Sequence, residues 1–212
     1  KRLAERGDTH IVATGITPSG EFHIGHLREI LTGDMIARAA RRAGMNAELV
    51  FVVDNADPLR KVYPFLDDAY EAFIGHQLGS IPAPDAAGKP DWDRYNKEGW
   101  TYADHFLTPF LAALKQIGVT PRLLPNLEAY RSGKFSSAAR IACDHPDAVR
   151  EIIERVSGRE LPESWFPWQP LDSNGSLDGL TVTGYEFPLV HWTDQHGNCL
   201  LYTSPSPRDG IG

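Results

Sequence analysis

The sequence predicts an α/β protein, a parallel sheet with helical connections followed by a small β-rich insertion. Residues 47–53 read AELVFVV, too continuously apolar for a half-exposed strand, so they belong inside a parallel sheet covered on both faces. Strand-like and helix-like segments alternate up to about residue 158, the pattern of an α/β sheet. Beyond Gly158 the character changes to the Trp- and Pro-dense LPESWFPWQP and then to short Gly-punctuated segments.

Residues 10–13 predict a short buried strand, followed by the turn-rich TGITPSG. A helix comes next, with Leu27, Ile30, Leu31, Met35, Ile36 and Ala39 expected on one side and Gly44 as its stop. With the 47–53 strand it makes a right-handed βαβ unit. Residues 67–78 read as a further helix, and 80–101, punctuated by Pro82, Pro84, Gly88, Pro90 and Gly99, as a long loop. Residues 105–117 carry Phe106, Phe110, Leu114 and Ile117 at helical spacing, and Pro109 demands either a kink or a helix start near Thr108. Residues 122–124 read as a third strand, and 136–156 as two helical pieces broken at His145-Pro146 and closed by Gly158. In the insertion, LTVTGYEF and LVHWTDQ read as antiparallel strands. Both ends look cut, and LYTSPSPRDGIG lacks periodicity. The expected divisions are therefore 1–158 as the first half of a larger domain, 159–198 as the insertion, and 199–212 as a disordered or foreign tail.

The 212 residues carry 21 Lys and Arg against 28 Asp and Glu, a formal charge of −7, with 42% hydrophobic residues. That composition excludes general disorder, and a chain of this length buries a core without disulfides or structural metal. No apolar run approaches the roughly 18 residues needed to cross a bilayer, and KRLAERGDTH lacks the apolar stretch of a secretory signal. Cys143 and Cys199 are too few for a disulfide framework. A soluble cytoplasmic protein is expected, with a monomer as the default oligomeric state. The acidic balance argues against a general nucleic-acid coat but not against a local basic groove.

Chemistry concentrates in TGITPSGEFHIGHLRE, residues 14–29, between the first strand and the first helix. In open parallel sheets ligands bind beyond the carboxyl ends of the strands. A helix N-terminus there offers unpaired N–H groups and partial positive charge to an anion. Gly15, Gly20 and Gly25 permit close backbone approach. His23 and His26, three apart, can share a helix face and reach one phosphate group. Neutral or charged, each imidazole can donate a hydrogen bond to an oxygen that gains charge in a phosphoryl-type transition state.

The motif His23-Ile24-Gly25-His26 after a strand resembles the HIGH motif of class I aminoacyl-tRNA synthetases. The longer ATGITPSGEFHIGHLREILTGD resembles the archaeal-type class I lysyl-tRNA synthetases in particular. DNADPLRKV at 54–62, YADHFLTPF at 102–110 and EAYRSGKF at 128–135 agree in order, so the resemblance covers about residues 10–198. It implies a Rossmann-like sheet of the HUP type and a lysine-tRNA ligase using ATP and Mg2+. Lysine would be activated to lysyl-adenylate with release of pyrophosphate, then transferred to the 3′ end of tRNA(Lys). No covalent enzyme intermediate is needed, so positioning and charge stabilisation carry the catalysis. The resemblance carries ATP binding onto Pro18, Ser19, Gly20, His23, Gly25 and His26. His23 and His26 form the catalytic pair at the α-phosphate, and Gly25 presents bare backbone to the adenine. Gly15 and Thr17 match lysine-contacting positions. Another HxGH adenylate-forming enzyme, such as a glutamyl-type synthetase or an adenylyltransferase, and a non-catalytic nucleotide- or RNA-binding paralogue are the competing readings.

A lysine ammonium moved into an apolar pocket needs a counter-charge. Asp54 and Asp57, just past the second strand, are the candidates, Asp54 alternatively capping the following turn, with Glu29 as a further choice and Arg28 read as surface. Arg60 and Lys61 read as a phosphate-facing or a solvated basic pair, and Tyr102 and His105 as wall or ligand contacts. His191, Asp194, His196 and Cys199 resemble a metal set, but their spacing in a hairpin favours a structural role, and no metal site is expected. Some relatives carry a Cys-pair zinc ribbon in this insertion. Here LDSNGSLDG stands in its place without cysteine, so a zinc-free hairpin is expected. No KMSKS-like string, whose lysines clamp the ATP pyrophosphate in the family, occurs in the sequence. These 212 residues are therefore expected to bind ATP weakly without efficient turnover, and most tRNA contacts are expected in regions outside them.

Overall fold

The computed structural model describes Glu5 and residues 7–194 and 196–203. In chain order the elements are β1 (Thr9–Ile16), α1 (Ile24–Arg42), β2 (Asn46–Val53), α2 (Trp92–Glu98), α3 (Tyr102–Gln116), β3 (Arg122–Pro125), α4 (Asn126–Arg131), α5 (Ser136–Asp144), α6 (Pro146–Ser157), β4 (Thr181–Glu186), β5 (Leu189–Thr193) and β6 (Cys199–Thr203). They form two compact units. The first holds the described residues up to Asn55 with Val62–Glu71 and Leu78–Asn126; the second holds Ala56–Lys61, Ala72–Gln77 and the described residues from Leu127 onward. The second unit thus takes in α5 and α6, which the expected division at residue 158 assigns to the first.

In the first unit β2 lies between β1 and β3 in a parallel three-stranded sheet. The register sets Ile16 opposite Val53 and Val53 opposite Pro125, so all three strands end level at their carboxyl termini. The continuous apolar run of β2 reflects its central place: Leu49, Val50, Phe51 and Val53 are all buried. Ile16, Ile30, Ala37, Leu49, Phe51, Val53, Phe110, Leu114 and Val119 form the core, with Leu27 and Leu31 packed against it.

The buried face of α1 is Ile30, Gly33, Asp34, Ala37 and Ala40. Met35, at 69% exposure, and Ile36, at 51%, point away from the core, as does Ala39, contrary to expectation. Each i to i+4 step over-rotates by about 40°, so the row 27, 31, 35, 39 winds off the sheet. Small residues take over the buried face and let the helix approach closely. A Cβ on Gly33 would stand 2.7 Å from Thr14 Cγ2 and 3.0 Å from Leu49 Cδ1. Gly33→Val is therefore expected to cost about 2–3 kcal/mol by overpacking. At roughly 2–4 °C per kcal/mol for a chain of this size, the thermal midpoint followed by circular dichroism should drop by about 5–10 °C. An unchanged midpoint would refute the close approach.

Other expectations are corrected. β1 runs on through Thr14, Gly15 and Ile16, so the chemically informative loop starts at Thr17. Residues 67–78 hold no α-helix, only the 3-10 segments Asp68–Phe73 and Leu78–Ser80. Their backbone bonds elsewhere: within the second unit the Gly75 N–H donates to the Leu59 carbonyl and the Leu59 N–H to His76. The stretch 80–101 is not all loop, because Asp91 caps α2 through the Arg94 N–H. The third helix begins at Tyr102, not at 105 or 108, because Thr101 and Asp104 form a capping box. Pro109 lies inside it, and the buried stripe Tyr102, Ala103, Phe106, Phe110 and Leu114 holds the helix together across the missing N–H.

In the second unit the break at His145-Pro146 separates α5 from α6, which starts on Pro146 and ends at Gly158 in the left-handed region, φ +69°. β4, β5 and β6 form an antiparallel sheet, with Thr193 opposite Thr181 on one side and Cys199 on the other. Residues 199–203, expected within a tail, are thus a paired strand, while 204–212 lie outside the described residues. Cys143, Trp168 and Val190 form this unit's core, with Phe166, Val182 and Tyr185 against it. No described helix is long and apolar enough to cross a membrane.

Candidate active site

The level ends of β1, β2 and β3 bring polar groups of the first unit together. The Asp54 N–H donates to the Ile16 carbonyl at 3.1 Å, continuing the strand pairing by one bond. Asp54 Oδ1 accepts a short 2.5 Å hydrogen bond from Asn126 Nδ2. Its Oδ2 lies 3.6 Å from the point where a Gly15 Cβ would stand. Gly15 itself donates its N–H to Glu29 Oε1 at 3.0 Å. Gly15, Glu29, Asp54 and Asn126 therefore meet where ligands bind in parallel sheets. Asn126 was not legible as a site residue, although it directly follows the third strand as Asp54 follows the second.

The turn after β1 is fixed from behind. Pro18 is buried, the Ser19 N–H donates to the Thr17 carbonyl at 2.9 Å, and the Tyr102 hydroxyl donates to the Ser19 carbonyl at 2.8 Å. Tyr102 is fully buried, and burial pushes its hydroxyl well above the ordinary tyrosine range, so it remains a donor. Tyr102→Phe is expected to lower stability by about 1 kcal/mol through loss of this bond. Urea unfolding should show a reduced midpoint at unchanged slope; an unaltered midpoint contradicts the anchoring role. Gly20 faces the Phe65 ring at 3.6 Å from a built Cβ, ordinary contact that leaves room for a methyl group.

His23 is the N-cap of α1, not a residue of its face. Its Nδ1 accepts from the Gly25 N–H at 3.1 Å, and His26 Nδ1 accepts from the His23 N–H at 3.1 Å, a reciprocal capping box. The two rings lie 3.9 Å apart, tilted by 31°. Phe22 holds them: it stacks on Phe110 at 4.2 Å and meets His26 edge-on at 5.1 Å. A Cβ on Gly25 would fall 2.8 Å from His23 Cε1 and 2.9 Å from Nδ1, so the glycine makes room for the capping ring. No acidic side chain occupies the first turn of α1, which leaves its partial positive charge uncompensated.

Burial first, then the neighbouring His23, holds the His26 imidazole below its ordinary value, with Glu29 acting the other way. The ring's contribution to stability is full above the unfolded value of 6.5 and is lost as the pH falls below it. Thermal unfolding at falling pH should show a smaller acid loss in His26→Gln than in the parent; equal losses contradict this.

A family model described as tRNA synthetases class I (K) matches residues 1–200. The chain belongs to this class I tRNA synthetase family. The lysine–tRNA ligase of Methanosarcina barkeri is 40% identical over 185 residues, 87% of this chain and 32% of the relative. That of Thermoplasma acidophilum is 36% identical over 188 residues, 88% of this chain and 35% of the relative. That of Archaeoglobus fulgidus is 38% identical over 191 residues, 90% of this chain and 36% of the relative. The chain thus spans about a third of the length of the curated relatives it matches.

Within this class I tRNA synthetase chain the remaining candidates separate. Asp57 belongs to the second unit, as do Arg60 and Lys61, whereas Asp54 belongs to the first with the histidines. Arg60 is exposed and lines a cavity of about 480 Å³ with Leu59, Gln169 and Asp178. His105 is half-buried beside a cavity of about 350 Å³ lined by Glu21, Phe22, Phe106, Pro109 and Phe110. Burial and then Arg94 lower its pKa, and Glu21 opposes them. Asp194 works as a turn cap, accepting the Asn198 side-chain amide at 2.9 Å and the backbone N–H groups of Asn198 at 2.9 Å and His196 at 2.8 Å, and these bonds, the Asn198 amide first, hold its carboxyl below the usual range. Among the described residues no group of three or more His, Cys, Asp or Glu could hold a metal ion.

Proposed function

We propose that this chain carries the nucleotide- and amino-acid-activating site of a lysine-tRNA ligase. The observation that carries the reading is the capped histidine pair at the start of α1, on the helix whose Glu29 takes the Gly15 N–H at the strand ends, where Gly15 faces Asp54. ATP lies with its α-phosphate at the N-terminus of α1, where the two imidazoles and the helix dipole stabilise charge that develops on phosphate oxygen. Pro18, Ser19 and Gly20 shape the phosphate-facing turn, and the Tyr102 bond keeps it in place.

Lysine lies against Gly15 and Thr17, and Asp54 supplies the counter-charge for its ammonium. Asp54 is preferred to Asp57 because it stands beside Gly15 in the first unit. The lysine carboxylate attacks the α-phosphate, pyrophosphate leaves, and the adenylate passes lysine to tRNA(Lys). Mg2+ would arrive with the nucleotide and would supply neutralisation of charge on its phosphates. A cytoplasmic location belongs to the same reading.

The test is a chimaera in which residues 8–198 replace the matching segment of the Methanosarcina barkeri enzyme. Among the common amino acids, lysine alone should support ATP–pyrophosphate exchange, and His23→Ala or His26→Ala should each reduce it by about 10²–10³-fold. Exchange driven by glutamate, or none in a folded chimaera, overturns the reading. The 212-residue chain by itself should show weak ATP binding without efficient exchange.

A further inference from the structure

We infer that His23 and His26 act on the nucleotide as neutral imidazoles of a single tautomer, donating from Nε2–H, and that the cap of α1 selects this tautomer. The inference rests on the ATP site proposed above and concerns how that site works. Each Nδ1 accepts a backbone N–H, from Gly25 in one ring and from His23 in the other, both at 3.1 Å. A ring nitrogen that accepts a hydrogen bond carries no proton, so the proton of the neutral ring must sit on Nε2. Neither Nε2 has a partner among the described residues, so both N–H groups remain available.

Protonation of either ring would bring an N–H against a backbone N–H and break the cap. A charged pair would also stand with its rings only 3.9 Å apart. The titratable groups that bear on His26 are His23 and Glu29, and the Glu29 carboxylate is engaged by the Gly15 N–H. Burial and His23 both disfavour the imidazolium at His26. Phe22, wedged between Phe110 and His26, fixes the direction in which that ring donates. Two neutral donors strengthen their bonds as the phosphate oxygens gain charge, and no proton is transferred to or from the histidines.

The 212-residue chain labelled with 15N-histidine tests this directly by two-bond nitrogen–proton correlation spectra. At neutral pH both rings should show an unprotonated Nδ1 and a protonated Nε2, and His26 should titrate below 6.5. Addition of millimolar MgATP should shift both Nε2–H signals and leave both Nδ1 signals in place. A protonated Nδ1 in either ring at neutral pH overturns the inference, as does MgATP that binds by calorimetry without moving the Nε2–H signals. The first result leaves the ATP-site reading standing; the second, like the absence of any MgATP binding, defeats the two together. In the chimaera His26→Gln, whose amide can replace the Nε2–H donor, should retain at least tenfold more exchange than His26→Asn, whose shorter side chain supplies only the capping acceptor. The reverse order overturns the donor assignment.

Discussion

Gly25→Ala should cut lysine-dependent pyrophosphate exchange in the chimaera by about 10²-fold, the scale of losing one preorganised donor. In an ordinary helix this substitution stabilises by roughly 1 kcal/mol, because Ala is the better helix former. Here the new methyl group would stand 2.8 Å from His23 Cε1, so the ring must swing away and give up the Gly25 N–H. The lost cap costs about 1 kcal/mol and offsets the propensity gain, leaving overall stability almost unchanged. The result that identifies the mechanism is thus a large loss of exchange at nearly constant thermal midpoint. Exchange at the parental rate would mean that the His23 position seen here is irrelevant to catalysis.

Asp54→Asn should raise the lysine KM by about 10²-fold, since a bond to a charged group is worth roughly 1.5–3 kcal/mol. The KM for ATP should move little. The substitution keeps the shape of the side chain but removes the charge, leaving one acceptor oxygen where the carboxylate has two. Asn126→Ala should then produce a weaker effect of the same kind, because it releases the carboxylate without neutralising it. A lysine KM unaffected by Asp54→Asn would move the counter-charge to Asp57 or Glu29.

Much of the candidate site's turn was legible because its chemistry is local. Thr17 to His26 is a continuous stretch in which glycine, proline and histidine carry their own structural instructions. The central strand was equally clear, because burial on both faces leaves seven residues without a strongly polar side chain apart from Glu48, which reaches out to Arg122 at 2.8 Å. What escaped was whatever depends on distant partners. Asn126 meets Asp54 across 72 residues, and Tyr102 meets Ser19 across 83. The helix expected at 67–78 failed for the same reason, since its backbone groups bond to Leu59 and other distant segments. Met35 and Ile36 misled for a simpler one: hydrophobicity marks a helix face only if followed at 3.6 residues per turn, and Gly33 and Ala37 hold that face without being conspicuous.

The level endings of β1, β2 and β3 make the site a reporter of folding. Gly15, Asp54 and Asn126 are remote in sequence and become neighbours only when the sheet register is complete. A ligand that needs all three has nothing to bind in the unfolded chain. Lysine and ATP at 100 times their dissociation constants would each add about 2.7 kcal/mol to the stability of the sheet. The concentration dependence of the melting midpoint then measures substrate affinity without any turnover assay.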